Sequence, residues 1–142
     1  MKIVKIVKIV SLAAVAVALI GASSSGRRNM SRHFLGLWEG VDVNDGSRRT
    51  VSITDQNRDG VLEVASRDTF WTLCDGDRGL ELATGDVGYY GVLTTSGTIT
   101  CFEDGSELEV MQTYELSRRE RTLFATPLGT GLMPVTLHRV SP

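Results

Sequence analysis

From Phe34 onward, short apolar runs alternate with polar turn clusters that recur every 8 to 14 residues or so. The turns are marked by Asn44-Asp45-Gly46, Asp59-Gly60, Asp75-Gly76, Thr84-Gly85-Asp86, Asp104-Gly105 and Gly129-Thr130-Gly131. The runs between them are rich in Val, Ile, Thr and aromatic residues. That spacing predicts hairpins assembled into an all-β barrel or sandwich. Strands are expected near 34–43, 48–54, 61–66, 69–74, 79–84, 89–102, 106–117, 121–126 and 132–140. The segment 89–102 reads as one bent strand or as two, split near Ser96-Gly97. After the N-terminal region no segment sustains a helical period beyond two turns.

Two runs alternate cleanly enough to assign faces. In 107–116, Leu108, Val110, Gln112, Tyr114 and Leu116 share one side, while Glu107, Glu109, Met111, Thr113 and Glu115 share the other. The first set is expected to face a core and the second water. In 132–140, Met133, Val135, Leu137 and Arg139 share a side. Arg139 thus falls with the apolar set, and a buried arginine needs a partner. His138 points the opposite way and reads as a solvated strand histidine. Phe70 and Trp71 lie on opposite faces of one run, so one of them is core. Tyr89-Tyr90 raises the same question.

The N-terminus has a different pattern. Lys2, Lys5 and Lys8 precede an uncharged apolar run, Ile9 to Ile20, and then small residues from Gly21 to Gly26. This is the pattern of a secretory signal peptide over residues 1–24, with cleavage after Ser24 or Ala22. The run is short against the roughly 20 apolar residues of a membrane span. The expected location is therefore extracellular or periplasmic, without stable membrane association after cleavage. Residues 25–33 are polar, lack periodicity and read as a flexible lead-in to a single domain, 34–142. Asn29-Met30-Ser31 is a glycosylation sequon, relevant only in a eukaryotic secretory pathway.

Three of the 15 basic residues are the leader lysines; the other 12 are arginines and face 17 acids, a formal charge of −5. A mildly acidic domain is a poor partner for nucleic acid or anionic membranes. Cys74 and Cys101 are the only cysteines. In an exported chain an even count favours a disulfide. In a meander one strand separates their positions, too far for a bridge in mid-sheet, so the bond is expected at the rim, across the 75–79 turn.

Gly36-Leu37-Trp38 in the first run and Arg139 in the last form a pairing that resembles the signature of lipocalins and their calycin relatives. The resemblance implies an up-and-down barrel of about eight strands. Its tryptophan would sit at a closed end, with the arginine packed across the indole. The chain is shorter than a full lipocalin, lacks a T-D-Y turn motif and has no helix after the last run. Small secreted inhibitor barrels and avidin-like barrels are nearer in size.

Asp55-Gln56-Asn57-Arg58-Asp59-Gly60 matches the first half of a calcium-binding loop, with Asp55, Asn57, Asp59 and Glu63 as the oxygen donors. The twelfth position, where a bidentate Glu belongs, is Ser66. The flanking strands already demand a polar turn here, which is the simpler reading. No nucleophile elbow or hydrolase motif is present, and the chain reads as non-enzymatic.

Two functions follow as expectations. One is a secreted calycin-like binding protein holding a small apolar ligand, lined by Trp38, Val110, Gln112, Tyr114, Leu137 and Arg139. The other is a secreted interaction or inhibitor protein with a solid barrel, engaging a protein partner through the lead-in and the rim loops.

Overall fold

The computed structural model describes residues 29 to 141. The leader expected over 1–24 and the start of the lead-in lie outside the described residues. Eight antiparallel strands follow one another in chain order. They are β1 (Gly36–Val41), β2 (Arg48–Thr54), β3 (Val61–Trp71), β4 (Asp77–Val87), β5 (Val92–Cys101), β6 (Glu107–Leu116), β7 (Thr122–Pro127) and β8 (Val135–Ser141). Each strand pairs with the next, and β1 pairs with β8 to close a barrel. Closure leaves no sheet edge unpaired. The expected meander barrel is therefore the fold, and the sandwich alternative is not.

Four details refine the sequence reading, the second by deciding between its two alternatives. The runs 61–66 and 69–74 are mostly one strand, β3, which ends in a register shift between Asp68 and Trp71 and a 3-10 turn at Thr72–Cys74. Asp68 looks like a break in sequence, but its carboxylate is turned inward to a cation. Second, β5 runs unbroken through Ser96-Gly97. Gly97 lies opposite Ala83, and a Cβ there would stand 2.2 Å from the Leu82 carbonyl oxygen. The glycine lets two backbones approach instead of ending a strand. Third, Tyr89 and Tyr90 belong to the β4–β5 turn and are 85% and 93% exposed. Fourth, β8 starts at Val135, after Pro134, so Met133 lies outside it and is exposed.

The barrel has two unlike ends. At one end Trp38, Val51, Ile53, Leu62, Val64, Leu93, Tyr114, Leu123, Val135 and Leu137 fill the interior, all at most 1% exposed. The chain before β1 covers this end. Residues 29–31 make a helical turn, Phe34 is buried, and Met30 and Leu35 pack against the same core. Trp38 Nε1 donates to the Phe34 carbonyl at 2.9 Å. Arg139 lies opposite Trp38 in the β1–β8 ladder, and its guanidinium stacks 4.1 Å from the indole centroid. The same guanidinium donates to the carbonyls of His33 and Leu35. His33 Nδ1 meets Glu120 Oε2 at 2.6 Å. Residues 29–33, expected to be flexible, are thus tied down. The reason is Phe34, whose burial draws the preceding residues onto the barrel end.

The opposite end carries the disulfide. Cys74, in the 3-10 turn, is bonded to Cys101 at the end of β5, with the Cα atoms 5.6 Å apart. Gly79 of β4 pairs with Cys101, so the bond crosses the 75–79 turn at the rim, as expected. Trp71, Cys74, Ile99 and Cys101 form a second, smaller apolar cluster there, against Leu73, Leu108 and Val110.

A polar candidate site at the open end

Between the two apolar clusters the inward positions turn polar. Strand alternation puts Arg49 of β2 on the inner face with Val51 and Ile53. It puts Ser66 and Asp68 of β3 there with Leu62 and Val64. Glu81 of β4 shares the face of Ala83 and Val87, Thr95 of β5 that of Leu93 and Ile99, and Gln112 of β6 that of Tyr114. All five polar side chains beyond the serine (Arg49, Asp68, Glu81, Thr95, Gln112) are buried.

Arg49 organises this layer. Its Nη2 lies 2.9 Å from Asp42 Oδ2 and its Nε donates to Asp68 Oδ2 at 3.0 Å. Its guanidinium stands 4.6 Å from the Trp71 ring centroid. Two carboxylates and an indole face are what a buried guanidinium requires to offset its lost hydration. Burial nevertheless raises the Asp68 carboxyl above its ordinary range, against the lowering effects of Ser47 and Arg49. Gln112 Nε2 donates to Glu81 Oε2 at 2.5 Å. Burial pushes the Glu81 carboxyl up to about 7, while the Arg49 charge and the Gln112 bond pull it back. Tyr114 is pushed well above the ordinary tyrosine value by burial and by the Glu81 charge.

Several atoms of this layer have no hydrogen-bond partner among the described residues: Arg49 Nη1, Ser66 Oγ, Trp71 Nε1, Glu81 Oε1, Gln112 Oε1 and Tyr114 Oη. A buried polar group left unsatisfied costs about 1–3 kcal/mol. Three of these side chains, Arg49, Trp71 and Gln112, line one cavity that opens at the rim. Asp42, Leu73, Ile99, Val110, Met111 and Leu132 are among its other lining residues. Its volume is about 20 Å³. That is room for roughly one water-sized group.

The ligand-lining residues expected from the sequence are divided by this geometry. Val110 and Gln112 line the open-end cavity. Trp38, Tyr114 and Leu137 are fully buried in the packed core, and Arg139 stacks at the closed end. The interior thus has no deep apolar chamber among those six residues. The expected calcium ligands are also apart in function. Glu63 Oε2 accepts from Thr54 Oγ1 and the Gln56 amide, and Asp59 Oδ1 accepts from the Val61 amide. These bonds shape a turn, and among the described residues no group of three or more His, Cys, Asp or Glu is arranged to hold a metal.

Sequence reasoning missed Arg49, Asp68, Trp71 and Glu81 as a group. Arg49 was accessible through period-two alternation with Val51 and Ile53. Glu81 was not: its neighbours Leu80 and Leu82 are the apolar pair, yet Leu82 is 59% exposed and Glu81 is buried.

Fold and site together define a disulfide-pinned, closed eight-stranded meander barrel with a polar recess at one end. The barrel is compatible with a lipocalin-like architecture. Comparison with family models, with curated proteins and with solved structures finds no match.

Proposed function

We propose that this chain is an exported binding barrel whose open end takes the polar head of a small ligand. One observation carries the reading. Arg49, Trp71 and Gln112 are only 5%, 2% and 2% exposed and line the same cavity, and each carries a polar atom with no hydrogen-bond partner among the described residues. A barrel that served only as a solid scaffold would be more stable with apolar side chains at those positions. The disulfide suits an oxidising compartment. The small volume of the cavity replaces the apolar ligand of the sequence reading with a polar group that enters while its body stays at the mouth.

The two indoles provide the test. Trp38 Nε1 donates to the Phe34 carbonyl at the closed end, whereas the Trp71 side chain lines the cavity and its Nε1 has no hydrogen-bond partner among the described residues. A panel of small carboxylates, amines, amides and sugars, titrated against nitrogen-labelled protein, is expected to move the Trp71 indole resonance with at least one class. Trp38 should stay in place. A panel that leaves Trp71 unmoved throughout overturns the reading.

A second reading has its own observation. Val43, Phe102, Leu128 and Met133 are exposed and come from three of the loops at the open end. Exposed apolar groups around a rim suit a protein partner. The lead-in residues 29–33 lie at the other end, so the rim would act without them. Under this reading Phe102→Asp with Met133→Asp abolishes partner capture and leaves the Trp71 titration unchanged.

A further inference from the structure

We propose that the outer wall of the barrel carries a separate site, independent of the open-end recess, that binds a phosphate dianion borne by a small organic ester. Strand alternation puts Arg48 of β2, Arg67 of β3 and Arg78 of β4 on the outward face, because Arg49, Asp68 and Gly79 take the inward one. Arg67 stands opposite Thr50, two residues from Arg48, and opposite Leu80, two residues from Arg78. Such diagonal neighbours lie about 7–8 Å apart. All three arginines line one open groove of about 360 Å³, together with Thr50, Thr69 and Phe102. All three are exposed, so a solute reaches them directly.

The charges of this groove are not balanced. Arg48 Nη2 meets Glu39 Oε2 at 2.9 Å. Among the described residues, neither Arg67 nor Arg78 forms an ion pair. Asp68 also borders the groove, but its carboxylate is fully buried and is held by Arg49 on the inner side. Two uncompensated arginines therefore occupy diagonal positions, within the roughly 8 Å over which physiological salt screens a charge. They repel one another, although the chain as a whole has 17 acids against 15 basic residues. An anion placed between them removes that repulsion. A phosphate monoester carries about −1.5 to −2 charges at pH 7 and three acceptor oxygens, which matches two free cations. A carboxylate or a sulfate ester brings one charge and leaves one guanidinium uncompensated.

The uncharged lining suits the rest of such a ligand. Thr69 Oγ1 accepts the Arg48 amide at 3.0 Å, which leaves its own hydrogen to donate to an oxyanion. Phe102 is 58% exposed, and its amide donates to the Arg78 carbonyl at 2.9 Å, fixing its backbone beside that arginine. An exposed ring at a groove offers an apolar face to the body of the ester. The volume falls at the small end of the range for small-molecule sites. Free inorganic phosphate shares the charged head but has no body to place on Phe102, so the two sources of the dianion are separable.

Phenyl phosphate, inorganic phosphate, phenyl sulfate and benzoate are titrated by calorimetry against the full chain at one ionic strength. The pH is held at about 7.5, above the second phosphate ionisation near 6. Phenyl phosphate is expected to bind saturably, roughly tenfold or more tighter than phenyl sulfate or benzoate, and tighter than inorganic phosphate. Arg67→Gln and Arg78→Gln should each weaken it by roughly tenfold, the value of one charged hydrogen bond. Arg58→Gln makes the same charge change in the turn between β2 and β3 and should leave the affinity unchanged. Should a groove variant fail to fold, the parent chain decides: phenyl phosphate moves the amide resonances of Thr69, Arg78 and Phe102 and leaves the Trp38 indole in place. Phenyl sulfate or benzoate binding as tightly as phenyl phosphate overturns the phosphate class. Inorganic phosphate binding as tightly overturns the ester. An equal loss in Arg58→Gln, or no saturable binding together with an unmoved Thr69, overturns the site. None of these outcomes bears on the Trp71 titration, so the groove and the open-end reading fail separately.

Discussion

Glu81 has one carboxylate oxygen bonded by Gln112 and the other unpartnered, inside a barrel that excludes water. Its carboxyl is raised from 4.5 to about 7, by burial above all. In that window the folded chain keeps a proton that the unfolded chain has lost. The stability this contributes is complete below pH 4.5 and disappears as pH rises towards 7 and beyond. The full effect is on the order of 3 kcal/mol. Glu81→Gln keeps the shape and removes the titration. Urea unfolding at pH 5 and pH 8 should show the variant gaining on the parent as pH rises. A gap between the two proteins that does not widen would show that Glu81 titrates normally. Arg49 is the complementary case, because it holds two buried carboxylates at once. Removing one partner of such a cluster leaves charge uncompensated, which is costlier than never having buried it.

Strand β4 is the element that most resists reading from sequence. Its apolar residues Leu80 and Leu82 alternate with Glu81, and the apolar pair would ordinarily mark the inner face. The opposite holds because Gly79, Glu81, Ala83 and Gly85 must face inward to suit the register with β3 and β5. Gly79 also makes room for Trp71: a Cβ at that position would lie 3.1 Å from Trp71 Cδ1. The segment before β1 shows a related effect. Residues 29–33 carry no periodicity, yet Phe34 seats them on the closed end and Arg139 holds two of their neighbouring carbonyls. Phe34→Ala should cost about 3–5 kcal/mol of stability. Amide exchange should rise across 29–35 while β3 to β6 keep their protection at low denaturant. Unchanged exchange in 29–35 would mean that Arg139, not Phe34, anchors the segment.

At the scale of the whole molecule the two barrel ends are held by different means. Apolar packing and the Trp38–Arg139 stack secure the closed end. The Cys74–Cys101 bond and the Arg49 cluster secure the open one. The described chain enters at the closed end, so the mouth faces away from it. The disulfide spans 27 residues of sequence. Closing a loop of that length contributes roughly 3 to 4 kcal/mol in the chain-entropy model. Replacing both cysteines by serine should lower the unfolding free energy by about that amount, measured by denaturant titration beside the parent. An equal titration curve would mean that the bond adds nothing to the closed barrel.

The sequence by itself determined the hairpin rhythm, the inner and outer faces of β6 and β8 and the rim position of the disulfide. These are local or periodic properties: turn residues mark where the chain reverses, and alternation sorts side chains within one strand. Closure of β1 onto β8, the docking of residues 29–34 and the gathering of Arg49, Asp68, Trp71, Glu81 and Gln112 were decided only by the tertiary structure. Those five residues come from four strands, and no spacing along the chain encodes that they share one layer. Register across the barrel brings them together, and the low polarity around them makes each atom left without a partner costly.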